Sequence, residues 1–298
     1  MGCQMIRLSS RQVGVLREKL RGELEARLAR LRRSDMKYHV VLALSGGKDS
    51  AYLAWLVSKR YKLRALGVTV DNGFMEPLAF KNVERVTGRL GMDHVVLDEA
   101  RLFRKMYRQT FRQGFLSASV GLPCDVCSRV LPLVIERHAG ASGIPLVMTG
   151  KFDLEHPQLW ETGGPPPTPV IAQFIAAMDA TRLKKRKVAV DVCYPLNTFL
   201  VTEAEIFRVL KKEVGISRTE EFRSEETSCE IVHACMYLFR KARGYNPHLA
   251  LMSTLIQRGF WDPKGSQGRL KKLDEYLKSA EARTRALKVL SELKVMVS

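Results

Sequence analysis

The stretch VVLALSGGKDSAYLAWLVSKR, Val40 to Arg60, decides the fold. Val40–Leu44 is an unbroken apolar run of buried-strand length, and Ala51, Leu53, Ala54 and Leu56 then recur at the spacing of one helix face. Between them, Ser45-Gly46-Gly47-Lys48-Asp49-Ser50 is a strand-to-helix turn. Gly46 and Gly47 permit positive φ and let a ligand approach the backbone. The helix that follows offers unpaired N–H groups at its positive end. Hydroxyls at both ends of the turn and a cation beside the glycines suit a phosphate. This is not a Walker P-loop. That motif needs a glycine five residues before Gly47 and a Ser or Thr after the lysine, where this chain has Leu42 and Asp49.

Outward from the turn, strand and helix patterns alternate. The expected order is strand Val40–Leu44, helix Ser50–Tyr61, strand Leu63–Val70, helix Leu78–Leu90 and strand His94–Leu97. Helix Leu102–Phe111, a loop at Ser117–Pro123, helix Ser128–His138 and strand Ile144–Met148 follow. This is the pattern of an α/β protein with a doubly wound parallel sheet, whose ligands sit outside the carboxyl ends of the strands. SGGKDS falls at such an end. So does Asp71 in VTVDNGF, which is either a tight-turn residue in Asp-Asn-Gly or an acid contacting a nucleotide's ribose or base.

Ahead of the sheet, residues 7–35 have a helical pattern, with Leu16, Leu20, Leu24, Leu28 and Leu31 in one stripe that should pack on the main domain. Beyond it, Gly163–Pro169 (GGPPPTP) cannot be helix or central strand and is expected as a loop over the active edge. VAVDVCYPL has a further strand pattern, and Thr202 with Glu205 forms a capping box for a helix Ala204–Val214. The region from Arg218 has a mostly helical, basic pattern. The division expected is a basic N-terminal helix over 1–37, a nucleotide-binding domain over 38–217 and a basic helical region over 218–298.

The 298 residues, 46% of them hydrophobic, can bury a sizeable core. With 49 Lys and Arg against 31 Asp and Glu, the net charge is +18. Positive charge gathers in Arg17–Lys37, in Arg101–Arg112, in Arg182–Lys187 and after Arg269, which favours a polyanionic partner such as RNA. No apolar run is long enough to span a membrane and no signal-peptide core is present, so a cytoplasmic protein with no membrane partner is expected. Six cysteines without export signals argue against a disulfide scaffold.

Cys124 and Cys127 stand in CxxC spacing just before a predicted helix, in the loop that leads into it. Such a pair bends around one metal or forms a redox couple. Two completions are open. Cys229 and His233 would add up to a zinc site of three cysteines and one histidine. Alternatively, Cys124, Cys127 and one later cysteine would hold three irons of a 4Fe–4S cluster and leave the fourth open.

SGGKDS resembles the SGGxDS signature of the PP-loop ATP pyrophosphatases, and the likeness extends over roughly Tyr38 to Cys235. That resemblance implies ATP with Mg²⁺ as cofactors, cleavage between the α and β phosphates, and adenylation of a carbonyl oxygen. It implies contacts to ATP from Ser45, Gly46, Gly47, Lys48, Asp49, Ser50, Asp71 and Gly150, with Lys48 and Asp49 acting in catalysis. A PP-loop followed by CxxC and a distant cysteine is similar to the tRNA 2-thiocytidine and 2-thiouridine synthetases. For those enzymes the resemblance implies a cluster on Cys124, Cys127 and a third cysteine, with Cys229 first choice and Cys193 and Cys235 as alternatives. It also implies a tRNA substrate and a sulfur donor, either a protein or inorganic sulfide, and leaves a homodimer open. The chain departs from the family after Gly150, where Lys151, Phe152, Asp153, Leu154 and Glu155 replace a histidine and paired aspartates. The VDNGF segment also resembles PP-loop amidotransferases acting on an N-acetyl sugar, which need a separate ammonia-producing partner. A non-enzymatic nucleotide-sensing or RNA-binding protein would explain the loop and the charge but would leave CxxC idle.

Overall fold

The structure is a computed structural model describing residues 10–114, 122–150, 188–199, 201–217, 229–247, 249, 253 and 263–295. Among these residues, β1 (Val40–Ala43), β2 (Ala65–Asp71), β3 (Asp93–Asp98), β4 (Leu146–Thr149) and β5 (Asp191–Cys193) form one sheet. Their order is β3-β2-β1-β4-β5, and every neighbouring pair is parallel. The chain therefore winds from β1 to one side for β2 and β3, then crosses to the other side for β4 and β5. The switch in direction falls between β1 and β4, where an open parallel sheet forms its ligand crevice.

The helices are α1 (Ser10–Arg32), α2 (Lys48–Trp55), α3 (Pro77–Leu90), α4 (Ala100–Gly114), α5 (Leu122–Ala141), α6 (Glu203–Glu213), α7 (Glu230–Arg243), α8 (Pro263–Lys278) and α9 (Ala280–Glu292). Successive residues of a strand point to opposite faces. Val41 and Val147 accordingly join α4, α5, α7 and α9 in one core, while Val40, Leu42, Leu146 and Met148 join α1, α2, α3 and α6 in the other. Burial on both faces is why the central strands are continuous apolar runs rather than alternating ones. Leu24, Leu28 and Leu31 of α1 pack into the second core, as the leucine stripe led one to expect.

The expected capping box is present: Thr202 accepts a hydrogen bond from the Glu205 N–H at 3.2 Å, and the Thr202 N–H donates to Glu205 Oε2 at 2.8 Å. Two expectations change. The strand expected over VAVDVCYPL is only three residues long, because Pro195 opens a 3₁₀ turn over Pro195–Thr198. The helix expected from Ser128 begins at Leu122, so Cys124 and Cys127 lie in its first turns and not in a preceding loop. Pro123 is tolerated there because the first-turn N–H groups have no intrahelical partner anyway. Residues 117–121, Lys151–Glu155, Gly163–Pro169 and Arg182–Lys187 lie outside the described residues. No helix among the described residues is long and apolar enough to cross a membrane.

One arginine ties the C-terminal helices to the sheet. Arg285 of α9 donates to both oxygens of Glu230 at the start of α7, at 3.0 and 3.1 Å, and to Glu76 just ahead of α3. His233 of α7 meets the Tyr276 hydroxyl at 3.2 Å through Nδ1, and its Nε2 lies 3.4 Å from Glu76 Oε1 without hydrogen-bond alignment. Burial alone would raise the Glu76 carboxyl, but His233 and Arg285 outweigh it and hold the group below its ordinary value of 4.5. A depressed folded value gives stability that is complete above the unfolded value and lost as pH falls through the folded one. Arg285→Met is expected to cost about 1–3 kcal/mol at neutral pH, since two carboxylates lose a donor. That cost should shrink once pH falls below 4.5 toward the folded value of Glu76. Denaturant unfolding from neutral to acidic pH checks both, and a pH-independent loss would count against the ion-pair account.

Candidate functional site

The turn after β1 is held by its own hydroxyls. Ser50 Oγ donates to the Gly47 carbonyl at 2.9 Å and accepts from the Ser45 N–H at 3.3 Å, while Ser45 Oγ lies 3.3 Å from it. Gly46 takes φ +76°, and a Cβ there would lie 2.6 Å from the Ala79 Cα in the first turn of α3. Its carbonyl accepts from the buried Asn82 side chain at 3.1 Å. Gly47 caps α2 with no side-chain hydrogen bond, which leaves the first-turn N–H groups for an anion. Lys48 Nζ and Asp49 Oδ2 form an ion pair at 2.8 Å, both partly exposed.

Gly150, just past β4, packs directly on this turn. A Cβ at Gly150 would stand 2.6 Å from the Ser50 N and 2.7 Å from the Asp49 carbonyl carbon. Asp71 ends β2, and its Oδ1 accepts the Gly73 N–H at 2.7 Å, the geometry of the turn reading. Ser45 to Ser50, Asp71 and Gly150 thus all lie at the carboxyl ends of β1, β2 and β4.

The cysteines gather beside the loop that follows β2, from α5 and from the start of α7. Cys124 and Cys127, three residues apart on α5, share a helix face. Cys229 precedes α7 and pairs across an antiparallel bridge with Met75. Buried Tyr107 of α4 donates its hydroxyl to Cys127 Sγ at 3.1 Å. Buried Asn72 donates from one amide nitrogen to the Tyr107 hydroxyl at 3.1 Å and to Cys229 Sγ at 3.4 Å. Cys124 is hydrogen-bonded to Cys235, which is fully buried on α7. That bond and burial push the Cys124 thiol up, and burial pushes Cys127 up and Cys229 to about 11.

Of the expected candidates, Cys124, Cys127 and Cys229 come together and Cys235 joins them. Cys193 packs in the core on the opposite face of the sheet, beside Arg27 and Asp191, where burial lifts its thiol to about 12. His233 faces Glu76 and Tyr276, so the set of three cysteines and this histidine is not assembled. No group of three or more His, Cys, Asp or Glu among the described residues stands at metal-binding separation. Asn72 and Tyr107 carried no functional signal in the sequence. Asn72 sat inside a turn motif, and Tyr107 was one of the apolar positions of a basic helix.

No protein-family model matches the chain. An uncharacterized protein of Methanocaldococcus jannaschii is 32% identical over 133 residues, 45% of this chain and 45% of its own length. The tRNA-specific 2-thiouridylase MnmA of a Nitratiruptor species is 30% identical over 121 residues, 39% of this chain and 35% of that enzyme. The chain thus spans less than half the length of these curated relatives. Among solved structures, an NMN synthetase from Francisella tularensis is similar at a TM-score of 0.46 and 13% identity, over 98% of this chain and 99% of that one. SGGKDS seated at the switch point of a parallel sheet, together with sequence shared with a 2-thiouridylase, supports a place for the chain in the PP-loop (SGGxDS) ATP pyrophosphatase superfamily.

Proposed function

We propose that the protein adenylates a carbonyl oxygen of a tRNA base with Mg·ATP, releasing pyrophosphate, and then replaces that oxygen by sulfur with loss of AMP. The observation that carries this reading is the proximity of a phosphate turn and a thiol cluster across one loop, Asn72–Glu76. On one side of that loop, Asn72 and Met75 touch Cys229. On the other side, Glu76 leads into α3, whose Ala79 meets Gly46.

In the first half-reaction the base oxygen attacks the α-phosphorus as the bond to the β-phosphate oxygen breaks. Negative charge grows on the phosphates, and the first-turn N–H groups of α2 and the Lys48 ammonium are aimed to offset it. Lys48 now pairs with Asp49, so binding Mg·ATP exchanges that partner: Lys48 turns to phosphate and Asp49 to the metal. Asp71 keeps one oxygen on the Gly73 N–H and has the other for the nucleoside.

Cys124, Cys127 and Cys229 are three soft sulfur donors on neighbouring elements, and that donor chemistry fits a 4Fe–4S cluster, as it also fits zinc. A cluster held there would supply a place to carry the sulfur destined for the base. The chain's own part is to place the three thiols on neighbouring elements, with Asn72 and Tyr107 hydrogen-bonded to two of them. The sulfur comes from a donor protein or inorganic sulfide.

Two measurements test the reading. Wild-type protein with tRNA and ATP is expected to form AMP and pyrophosphate, and Gly46→Val or Asp49→Ala to reduce that rate at least a hundredfold. ADP and phosphate as products would overturn the pyrophosphatase chemistry. In anaerobic preparations, Ser at Cys124, Cys127 or Cys229 is expected to remove both iron and tRNA thiolation while ATP binding persists. Cys193→Ser should keep both, because it lies on the other face of the sheet. Zinc in the wild type together with full activity of Cys124→Ser would exclude the sulfur-carrying cluster.

A further inference from the structure

The basic run on α4 divides into two groups with different partners. Arg104, Arg108 and Arg112 reach the C-terminal end of α9. Arg108 Nε donates to the Leu293 carbonyl at 2.8 Å, Arg112 to the Lys294 carbonyl at 3.3 Å, and Arg104 to Glu292 at 3.4 Å. Cations at the last carbonyls of a helix complete its orphan acceptors and its dipole. Arg101 and Lys105 instead stand exposed on the adjoining stripe.

Arg101, Arg104, Lys105 and Arg108 recur at the three- and four-residue steps of one helix face and line an open groove of about 800 Å³ with Asp98, Glu99 and Ala100. The stripe is about 10 Å long at 1.5 Å per residue. Asp98 accepts the Ala100 N–H at 3.1 Å as a helix-start contact, and the four cations of the lining outnumber its two carboxylates, Asp98 and Glu99.

The groove's inner wall leads to the thiols. Arg104 donates to the Gly73 carbonyl at 3.0 Å and lies over the Phe74 ring at 4.5 Å. Phe74 meets Tyr107 edge-on at 5.7 Å, and the Tyr107 hydroxyl is bonded to Cys127. A chain held along α4 would therefore be separated from Cys127 by the Phe74 and Tyr107 rings.

We infer that this groove binds the phosphodiester backbone of an RNA strand, with Arg101 and Lys105 as its contacts. The inference rests on the reading of the protein as a tRNA-modifying enzyme and assigns that substrate a docking surface. Arginine and lysine suit phosphate by charge and by multiple N–H donors. Arg104 and Arg108, fixed by backbone carbonyls, keep the field positive without moving. A strand so placed can extrude one base toward the cluster, since an unstacked base is what a modifying enzyme must reach.

The test measures tRNA affinity of the full chain as a function of salt. Arg101→Glu/Lys105→Glu is expected to bind about tenfold or more weakly and to lower the log–log salt slope by about 2, the loss of two phosphate contacts. Lys211→Glu/Lys212→Glu on α6 carries the same change in net charge and should bind like the wild type. ATP affinity should be unchanged in both variants. Equal binding by wild type and the α4 variant, or equal losses in both variants, overturns the groove. An α4 variant that still binds tRNA normally but no longer responds to an acidic sulfur-donor protein also overturns it. Absence of tRNA binding by the wild type would instead sink the underlying functional reading, so the two failures are separable.

Discussion

Two missing methyl positions set the geometry of the whole edge. Gly46 and Gly150 let the turn after β1 wedge between the first turn of α3 and the end of β4, at separations that no Cβ permits. At both glycines the close neighbour is main chain, Ala79 against Gly46 and Asp49 with Ser50 against Gly150. The positive φ of Gly46 reverses the strand into α2, and its carbonyl is then caught by Asn82. Because α3 is pressed against the turn, the loop before it is drawn to the same edge of the sheet. That loop carries Asn72 to Glu76, the residues that reach the thiols and the Arg285 network.

The thiol cluster depends on a different local event, the early start of α5. A loop would leave Cys124 and Cys127 free to diverge. A helix holds them three residues apart on one face and turns both toward α4 and α7. Asn72 organises the result: its amide nitrogen serves Tyr107 and Cys229, and its Oδ1 accepts the Phe74 N–H at 2.9 Å. A side-chain amide has two donors and an oxygen with two lone pairs, so both donors and one acceptor site of this residue are used. Burial favours the protonated thiols, so a metal bound there would have to displace those protons.

What the sequence made legible was whatever is local and periodic. The buried strand over Val40–Leu44 and the turn after it follow from apolar runs and two glycines, and the Thr202 capping box follows from spacing alone. The start of α5 was illegible because Gly121, Leu122 and Pro123 look like a loop, and only tertiary packing of Val126 and Val130 decides for helix. The same limit applies to charge. Arg17 and Arg104–Arg112 count as basic surface in a sequence, yet Arg17 is buried and the α4 arginines close the end of α9. His233 fitted a zinc ligand by spacing. Its partners, Glu76 and Tyr276, are 157 and 43 residues distant along the chain, where no pattern could reveal them.

That last network also joins the two halves of the candidate site. Glu76 stands immediately before the helix that receives Gly46, and Glu230 stands immediately after Cys229. Arg285 holds both carboxylates at once, from a helix whose Ala286, Val289 and Leu290 are buried in the sheet's own core. A shift of α3 on filling the phosphate turn would pull on Glu76, and through Arg285 on the residue adjoining the third thiol. Two carboxylates sharing one guanidinium cannot move independently, because either one that leaves strands a partly buried charge. The C-terminal helices, far from being an appendage to the nucleotide fold, thus supply the bolt between its phosphate turn and its cysteines.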